Sequence, residues 1–381
     1  MKIALITIHN SCNYGAVLQT FATQEVLKSY GKVEIINYQN THTDKTTKLL
    51  RYGWSPKDGL RFAKDMLKLL PKHRTLKKFH SFFAENYNLS KIKTQNPSEL
   101  KLDYDIYVCG SDQIWNPQIT TENKSINQNY FLAFTTAGRK ISYASSMGSY
   151  RYSADEIKQV AFYLKDFDSI SVRELDSAIY LNKAIGRPIE HVLDPTLLLN
   201  KEDWTSALNI QKSPPKKPYL LVYVLLKNKV LSQTVNAIAQ ILNLEVIVID
   251  QNPITTMRCS KHVNDAGPKE YIELFSNASF VITNSFHGCA FSVNFNIPFL
   301  VTPPPTGLNR ILSLLSAVGA ESRAIRTKDE AVEVVRNAID FEEVNSKLLQ
   351  LRTNSFHFLS AAITPSAHAK PEHATHENTL I

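Results

Sequence analysis

The sequence predicts an α/β protein with two parallel-sheet domains that face a ligand cleft. Short apolar runs alternate with helical patterns along most of its 381 residues, which is typical of βαβ units. The pattern restarts after a Pro- and Lys-rich stretch, KSPPKKP at residues 212–218, which has the composition of a linker. A chain of this length accommodates two domains more readily than one core. We therefore expect domains at residues 1–211 and 219–345, then a helix at 346–365 and a polar, disordered tail at 366–381.

The chain opens with a predicted strand at residues 2–8, a polar loop, a helix at 16–29 and a second strand. The loop has one glycine rather than GxGxxG, so a nicotinamide cofactor is not indicated. Asn13, Tyr14 and Gly15 stand where this loop meets the helix. Asn13 and Gly15 either shape the turn and cap the helix or contact a ligand, and the sequence leaves both interpretations open.

Residues 45–80 differ in character from the rest of the first domain. They hold eleven Lys and Arg against two Asp, with apolar residues at helical spacing. We expect a basic amphipathic helical insertion spanning residues 45–85. Such a helix either contacts anionic lipid headgroups or packs on the first domain as a solvated insertion. No nucleic-acid-binding motif accompanies the basic residues, so nucleic acid is not an expected partner.

A buried strand in the stretch YDIYVCGSDQIWNP, residues 104–117, ends in a tight turn. The turn and the loop after it combine small residues, a carboxylate, amides and an indole. Carboxylate and amide groups bind sugar hydroxyls, and an indole face packs on a sugar ring. The alternative is a structural turn with a buried tryptophan. The candidate ligand contacts are Ser111, Asp112, Gln113, Trp115 and Asn116.

The next strands of the first domain also end in polar residues. A strand at 140–144 leads into a small glycine-containing loop, and a strand at 169–172 is followed directly by Arg173 and Glu174. An arginine at that place can hold a carboxylate or phosphate with two parallel hydrogen bonds. It can instead pair with Glu174 or Asp176, and the sequence favours neither. The segment HVLDPT, residues 191–196, is a further strand with a polar end.

The second domain contains the stretch FVITNSFHGCAFSVNFNIPFLV, residues 280–301. It predicts a strand, a polar turn, a helix that starts near Phe286, and a second strand after Pro298. Such a turn lies at the carboxyl end of a parallel sheet, where open α/β sheets bind ligands. The free amides of the helix start favour an anion. The residues placed there are Asn284, Ser285, His287 and Gly288, and Arg310 stands at the start of the following helix.

Composition and cysteine spacing narrow the class of protein. No apolar run approaches the roughly 18 residues of a membrane span, and the N-terminus reads as a strand rather than a signal peptide. The four cysteines are far apart and show no metal-binding spacing, so we expect reduced thiols, no metal and a cytoplasmic location. The net charge of +8 suits an anionic substrate or a membrane surface better than nucleic acid.

Six motifs, in order over roughly residues 1–320, resemble the polysaccharide pyruvyl transferase family. They are HNSCNYGAVLQTFA, YDIYVCGSDQIWN, ISYASSMG, SISVRE, HVLDPTLLL and VITNSFHGCAFSVNFNIPFL. The resemblance implies two Rossmann-like domains similar to GT-B glycosyltransferases. It also implies transfer of the enolpyruvyl group of phosphoenolpyruvate, as co-substrate and without a further cofactor, to a sugar. The acceptor would be a cell-surface polysaccharide, such as an exopolysaccharide or capsule, or its lipid-linked precursor, reached from the inner face of the membrane.

The resemblance also assigns roles to residues. His287 matches a histidine that the family uses catalytically, and Arg173 matches an arginine implicated in activity. Since ketal formation needs an acid, a cationic clamp and a base, we expect His287 as acid and Arg173 and Arg310 as clamp, with Asp112 either as base or as the residue that orients the acceptor. Relatives can carry an arginine where this chain has Ser285. The expected donor contacts are Asn284, Ser285, Gly288 and Arg310, and the expected acceptor contacts are Asn13, Tyr14, Gly15, Ser111, Gln113, Trp115 and Asn116.

Two other functions fit the same sequence. A GT-B glycosyltransferase with a nucleotide-sugar donor would share the fold and the anion-binding helix, and Glu270 or Glu273 would contact the ribose of its donor. A non-catalytic glycan- or nucleotide-binding protein would keep its function after replacement of His287. The first domain is expected to be the acceptor side and the second domain the donor side. The acceptor sugar, the ketal positions and the oligomeric state do not follow from the sequence.

Overall fold

The computed structural model describes residues 1–47, 69–100, 102–211, 215–223, 225, 229–302, 304 and 308–364. Within these ranges the chain forms two parallel sheets, each with helices packed against it. The predicted α/β class with two Rossmann-like domains is therefore confirmed. Much of the predicted basic insertion, the centre of the linker and the C-terminal tail lie outside the described residues.

The first domain follows the alternation expected of βαβ units. Its strands are buried apolar runs, as in β1, where Ile3, Leu5 and Ile6 are fully buried, because helices cover both faces of a parallel sheet. The elements in chain order are β1 (Lys2–Ile6), α1 (Tyr14–Lys28), β2 (Lys32–Ile35), α2 (Leu69–Asn86), β3 (Ile106–Cys109), α3 (Pro117–Thr120), β4 (Arg139–Ser145), α4 (Ala154–Leu164), β5 (Ser169–Val172), α5 (Leu175–Ile185), β6 (Glu190–His191) and α6 (Lys201–Ala207).

The second domain repeats the alternation with a smaller sheet. The helix predicted near Phe286 begins at that residue, and the strand predicted after Pro298 begins at the next one. The elements are β7 (Tyr219–Tyr223), α7 (Lys229–Leu242), β8 (Glu245–Ile249), β9 (Lys261–Val263), α8 (Pro268–Ser276), β10 (Phe280–Thr283), α9 (Phe286–Asn294), β11 (Phe299–Val301), α10 (Leu308–Val318), α11 (Lys328–Val334) and α12 (Phe341–Ile363).

The strand order of each sheet shows which loops lie where a ligand would bind. The first sheet has the order β2-β1-β3-β4-β5-β6 and the second β11-β10-β7-β8-β9, with parallel neighbours throughout. The order reverses between β1 and β3 and again between β7 and β10. Ligands bind outside the carboxyl ends of strands at such switch points. The loops after β1 and β3 and those after β7 and β10 are therefore the first places to look for a site.

The two domains share one apolar core rather than meeting across a wide gap. Tyr14 of α1 stacks on Tyr271 of α8 with ring centroids 4.6 Å apart. Trp204 of α6 packs between Phe21 and Phe291, with centroids 5.5 and 5.3 Å away. These contacts close the domain interface on one side and leave the cleft at the carboxyl ends of the sheets.

The last described helix, α12, crosses from the second domain back to the first. Asp340 caps it by accepting hydrogen bonds from two backbone amides, so the helix starts five residues before the predicted position 346. Ser355 accepts a hydrogen bond from the Leu193 amide at 3.0 Å, and Phe358 lies 6.4 Å from Tyr143 between ring centroids. The helix therefore fastens the two domains together.

Helix α2 is the described part of the predicted basic insertion. It buries Leu76, Phe79 and Phe82 in the domain interface. Two of its basic side chains pair with the second domain, Arg74 with Asp265 at 2.5 Å and Lys78 with Glu270 at 2.8 Å. This half of the insertion is thus a packed helix between the domains. No helix within the described ranges is long and apolar enough to span a membrane.

Candidate active site

Three loops and two helix starts bring charged side chains of the two domains together. Asp112 follows β3, Arg173 and Glu174 follow β5, and Asp194 follows β6. From the second domain, His287 comes from the first turn of α9. We call Asp112, Arg173, Glu174, Asp194, His287 and Arg310 the charged cluster. The sequence prediction that polar strand ends form one site is consistent with this arrangement, although the contacts differ from those expected.

Arg173 is at the centre of the cluster and is almost fully buried. Its Nη1 donates to Asp194 Oδ2 at 2.6 Å and its Nε to Glu174 Oε1 at 3.2 Å. Its Nη2 lies 3.8 Å from Asp112 Oδ1. Burial opposes its charge, but the three carboxylates outweigh this effect and raise the pKa of Arg173. Pairing with Glu174, one of the two alternatives, is therefore present.

Asp176, the other residue considered as a partner of Arg173, pairs with Arg151 instead. It accepts a hydrogen bond from Arg151 Nη2 at 2.8 Å on the protein surface. The stronger partner of Arg173 is Asp194, which sequence reasoning did not single out. The sequence does show a polar strand end in HVLDPT. It does not show that this strand lies next to the strand that ends at Arg173.

Asp194 links the arginine to the histidine and is 1% exposed. Its Oδ1 accepts from the backbone amide and the hydroxyl of Thr196, at 3.0 and 2.7 Å. Burial acts to raise its pKa, but Arg173 and His287 outweigh burial, so the pKa of Asp194 lies below its ordinary value. The residue is therefore an ionised carboxylate held rigidly by a turn.

His287 approaches the cluster from the second domain. Its Nε2 lies 3.8 Å from Asp194 Oδ2. Burial, followed by repulsion from Arg173 and Arg310 and opposed by Asp194 and Asp112, lowers the pKa of His287 to about 4. The imidazole is therefore neutral at pH 7 in the protein without ligand.

Gly15, in the first turn of α1, lies against the imidazole of His287. A Cβ atom on Gly15 would lie 2.1 Å from His287 Nδ1, far below any allowed contact. The glycine lets the first turn of α1 touch the imidazole. The predicted acceptor contact at Gly15 stays a prediction, and the structure shows that this residue makes room for the catalytic candidate of the other domain.

The predicted donor-binding turn is built mainly by internal hydrogen bonds. Ser285 caps α9, and its Oγ accepts from the Gly288 amide at 3.4 Å. Asn284 Oδ1 accepts from the Leu225 amide at 3.0 Å, which ties the turn to the loop after β7. A Cβ on Gly288 would lie 2.4 Å from Thr283 Oγ1, so glycine permits close packing of α9 on β10.

Arg310 faces the same place from α10. The guanidinium carbons of Arg173 and Arg310 lie 5.0 and 5.9 Å from the Phe286 ring centroid, so this ring lies near both cations. Burial and then the charge of Arg173 lower the pKa of Arg310. Ser285 serves as a cap of α9, and Arg310 is a buried cation of the same cluster.

Several buried polar atoms of the cluster have no hydrogen-bond partner among the described residues. They are Arg173 Nη2, Glu174 Oε2, His287 Nε2 and Arg310 Nε. Buried polar groups are normally paired, and an unpaired group costs about 1–3 kcal/mol. Three of these four atoms are nitrogens, which can donate hydrogen bonds to a ligand.

The loop after β3 is not the sugar-binding surface that was expected. Trp115 is 1% exposed, stacks on Phe131 with centroids 5.0 Å apart, and donates from Nε1 to the Tyr130 carbonyl. Ser111 is fully buried and donates to the Ala144 carbonyl. The acceptor assignments of both residues are wrong, because burial and internal hydrogen bonds occupy them.

The amides of this loop are also used internally. Asn116 caps α3 by accepting from the Gln118 amide, and it donates to Gln113 Oε1 at 3.0 Å. These bonds brace the loop that presents Asp112, which has a left-handed backbone with φ of 64°. Asn116 and Gln113 therefore support Asp112 instead of forming the predicted acceptor surface.

The loop after β1 gives a mixed outcome. Asn13 Oδ1 caps α1 by accepting from the amides of Gly15 and Ala16. Tyr14 is buried in the domain interface, and its hydroxyl donates to the Ala266 carbonyl at 2.7 Å. The expected acceptor role of Tyr14 is wrong for the hydroxyl, which is already paired. Both residues nevertheless form part of the wall of a cavity.

That cavity lies between the domains and has a volume of about 400 Å³. Its wall combines the loop after β1, the start of α2 and the carboxyl ends of β7 and β8. Tyr223 connects it to the donor turn, since its hydroxyl interacts with Ser285. The cleft predicted between the domains is therefore a defined cavity at the carboxyl ends of the strands.

The two carboxylates suggested for a nucleotide ribose lie elsewhere. Glu270 accepts from the Gly267 amide at the start of α8 and pairs with Lys78. Glu270 and Glu273 line a separate groove between α2, α6 and α8. Neither residue lines the cavity beside His287. The sequence-based ribose contacts are thus not part of the charged cluster.

Comparison with protein families decides the assignment of the chain. A family model described as polysaccharide pyruvyl transferase matches residues 13–304. The chain belongs to the polysaccharide pyruvyl transferase family. Five of the six residues of the charged cluster lie within the matched range, and Arg310 lies outside it. A comparison with curated proteins finds no match.

Solved structures support the fold of this polysaccharide pyruvyl transferase family member. MnaA of S. aureus, solved with UDP, is 10% identical with a TM-score of 0.51, covering 97% of this chain and 98% of that one. UDP-GlcNAc 2-epimerase from Neisseria meningitidis, bound to UDP-GlcNAc, is 9% identical with a TM-score of 0.50, covering 94% and 99%. At this identity the likeness shows the two-domain GT-B-type fold alone.

Proposed function

We propose that the protein transfers the enolpyruvyl group of phosphoenolpyruvate to a pair of sugar hydroxyls, forming a pyruvate ketal and releasing phosphate. One observation carries the proposal. His287 Nε2, Arg173 Nη2 and Arg310 Nε are buried and have no hydrogen-bond partner within the described residues. Both guanidinium groups lie near the Phe286 ring, which adjoins His287. A general acid beside two guanidinium groups is what protonation of an anionic enol phosphate needs.

The reaction begins with the proton. His287 gives its Nε2 proton to the methylene carbon of the donor, so that an N–H bond breaks, a C–H bond forms and the neighbouring carbon becomes an oxocarbenium centre. A sugar hydroxyl oxygen attacks this carbon and loses its proton to Asp112. A second hydroxyl then displaces phosphate at the same carbon, and its proton leaves with the phosphate. The two arginines hold the carboxylate and phosphate of the donor.

The charge balance explains how His287 becomes an acid. Arg173 and Arg310 face three carboxylates, Asp112, Glu174 and Asp194. With a neutral imidazole the cluster carries one net negative charge, which disfavours a donor with up to three negative charges. Protonation of His287 removes this charge, and the donor in turn stabilises the imidazolium. The donor thus binds together with the proton that the reaction consumes.

Ser285 accounts for the departure from relatives that carry arginine at this position. Its hydroxyl caps α9, and the free amides of the first helical turn then remain for an anion. Arg310 supplies the cation, because it lies against the same Phe286 ring as Arg173. In this proposal Arg310 replaces an arginine of the turn.

The acceptor is proposed to be a sugar of a surface polysaccharide or its lipid-linked precursor. Peripheral contact with the inner face of the membrane through residues 45–80 stays part of the proposal. The described half of that range is packed between the domains, so a lipid contact would fall on its N-terminal half. Co-sedimentation with anionic vesicles tests this, and equal pelleting of the protein and a variant with neutralised lysines in residues 45–68 contradicts it.

Ligand-induced stabilisation tests the donor without an acceptor. A ligand at about 100 times its dissociation constant adds about 2.7 kcal/mol to the free energy of unfolding. Thermal unfolding is measured with phosphoenolpyruvate and with a panel of nucleotide sugars, for the wild type, Arg310→Gln and Arg336→Gln. Arg336 is an exposed arginine of the same domain and serves as the matched control.

We expect phosphoenolpyruvate to stabilise the wild type and Arg336→Gln, and Arg310→Gln much less. Stabilisation by a nucleotide sugar and none by phosphoenolpyruvate would replace the proposal with the glycosyltransferase alternative. Arg173→Ala is a poor probe, because removing one partner from buried carboxylates destabilises a protein by about 3–5 kcal/mol on its own. The conservative Arg173→Lys retains the charge and is the better second variant.

A further inference from the structure

The acceptor-binding region expected from the sequence is closed by the protein itself. Trp115 and Ser111 are 1% and 0% exposed, and their polar atoms are paired internally. Asn116 is 6% exposed and caps a helix. A sugar therefore has no access to the indole face. If the proposed reaction takes place, the acceptor must reach the charged cluster from another side.

A cavity of about 400 Å³ lies between the domains, and several of its wall residues are linked to residues that contact the cluster. Its inner wall includes Asn13 and Tyr14, next in sequence to the Gly15 that touches His287. The same wall includes Tyr223, whose hydroxyl interacts with Ser285, and Leu225, whose amide donates to Asn284. Two residues of this wall thus contact the turn before α9, and two others adjoin Gly15 in sequence.

The chemistry of the wall suits a sugar ring. Asp250, Gln251 and Asn252 follow β8 and supply one carboxylate and two amides. Leu76, Tyr223 and Ile249 supply an apolar and aromatic surface. Cavities of about 300–1,000 Å³ with an apolar wall and a few polar groups are typical small-molecule sites. Gln251 also donates to the Cys12 carbonyl at 3.1 Å, which joins the loop after β8 to the loop after β1.

We infer that this cavity is the acceptor subsite and binds a hexose ring, with the hydroxyls held by the loop at residues 250–252. The inference rests on the proposed function. It changes the expected division between the domains, because both domains then line the acceptor subsite and the first domain supplies Arg173 to the donor. The acceptor hydroxyls enter past Tyr223 toward His287.

The test fills the cavity without removing a structural contact. Leu225 lines the cavity and is half exposed, and its hydrogen bond to Asn284 uses the backbone. Leu225→Trp therefore blocks the space at small cost to folding. Ile241, equally exposed on α7 of the same domain, gives the matched control Ile241→Trp. Gln251→Ala is a second variant, which removes one hydrogen-bonding amide.

The probes are methyl glycosides of glucose, galactose and mannose at millimolar concentration, with and without phosphoenolpyruvate. Binding is followed by saturation-transfer NMR. We expect transfer to at least one glycoside in the wild type and in Ile241→Trp, a loss of at least tenfold in Leu225→Trp, and a weaker signal in Gln251→Ala. Thermal stabilisation by phosphoenolpyruvate should be retained in all four proteins.

Each outcome separates the subsite from the function. Undiminished transfer in Leu225→Trp, or transfer to none of the glycosides in the presence of phosphoenolpyruvate, overturns the subsite and leaves the donor assignment standing. Glycoside binding that Leu225→Trp abolishes, in a protein that phosphoenolpyruvate does not stabilise, supports a sugar site and rejects the proposed donor. Loss of phosphoenolpyruvate stabilisation in Leu225→Trp alone would assign the cavity to the donor and overturn the inference.

Discussion

A Cβ atom on Gly15 would lie 2.1 Å from Nδ1 of His287, so a glycine in one domain defines the position of an imidazole in the other. The contact joins the first turn of α1 to the first turn of α9. It makes the geometry of the charged cluster depend on how the two domains are packed. A substitution at Gly15 therefore reports on the catalytic candidate without altering any charge.

Gly15→Ala is expected to weaken phosphoenolpyruvate binding at least tenfold and to destabilise the protein by about 1–3 kcal/mol, as overpacking does. Alanine is the better helix former by about 0.5–1 kcal/mol, so any loss must come from the clash. Calorimetric titration and thermal unfolding measure both effects.

The control is the same change in a His287→Ala background. Without the imidazole ring, Gly15→Ala should be neutral or stabilising, because the three atoms nearest to such a Cβ all belong to that ring. An equal destabilisation in both backgrounds would contradict the proposed contact.

Phosphoenolpyruvate binding is expected to take up close to one proton at pH 7.5. The pKa of His287 is about 4 without ligand, mainly because of burial, and an anion beside Nε2 raises it. Calorimetric titration in buffers of different ionisation enthalpy gives the number of protons bound. His287→Gln should reduce this number to near zero. Tight binding of phosphoenolpyruvate to the wild type with no proton uptake would disprove the coupling.

Stability is expected to fall as the pH drops from about 6.5 to about 4. The pKa of His287 is lowered to about 4 by burial, as is that of His9, whereas the unfolded side chains titrate near 6.5. Between these values the unfolded chain binds more protons than the folded one, so acid favours unfolding. Each histidine contributes up to about 3 kcal/mol, from about 2.5 pKa units at 1.36 kcal/mol each.

Chemical denaturation at pH 7 and pH 4.5 measures this dependence. His287→Gln and His9→Gln should each remove about one histidine's share of the difference, whatever their effect at pH 7. His73→Gln, at an exposed position on α2, should leave the difference unchanged. A pH difference that persists in full in both buried variants would refute the explanation.

Arg352→Ala is expected to lower the free energy of unfolding by about 1–3 kcal/mol. Arg352 of α12 donates to the Leu197 carbonyl and to Asn294 Oδ1, both at 2.6 Å, and charge-assisted bonds are the stronger kind. The turn at Leu197 follows Asp194, so phosphoenolpyruvate affinity should fall as well. Urea denaturation and calorimetric titration measure the two effects.

Lys347→Ala is the matched control on the same helix. Lys347 pairs with Glu343 at the surface, and an exposed pair of this kind contributes about 0.3–0.5 kcal/mol. Equal effects of the two substitutions would show that Arg352 does not brace the site.

The sequence predicted the elements well and the contacts between them poorly. Hydrophobic runs located β10 and the helix start at Phe286, because both are local patterns. The burial of Trp115 results from its stacking on Phe131. This contact joins residues that are distant in sequence, and the hydrophobic pattern does not predict such contacts. Asp194 was missed for a similar reason. Its place in the charged cluster follows from its contacts with Arg173 and His287, which lie on other elements.

Helix α12 was also predicted as an element, but its destination was not. An amphipathic pattern shows that one face is buried and does not show against which domain. The structure places that face near Tyr143 and Leu193 of the first domain. The sequence identified candidate residues that follow a single predicted strand, such as His287 and Arg173. It did not identify residues whose role depends on contacts between segments that are distant in sequence.

The return of α12 to the first domain has a consequence for the order in which the protein matures during synthesis. Domains generally fold as the ribosome releases them, the N-terminal one first. Here the first domain emerges long before Phe341–Ile363, so Tyr143 lacks its Phe358 neighbour and the Leu193 amide lacks Ser355 until then. Because Asp194 follows Leu193 directly, the surroundings of the charged cluster are completed only after translation has passed this helix. A nascent chain that ends before residue 341 therefore holds a first domain that lacks these contacts.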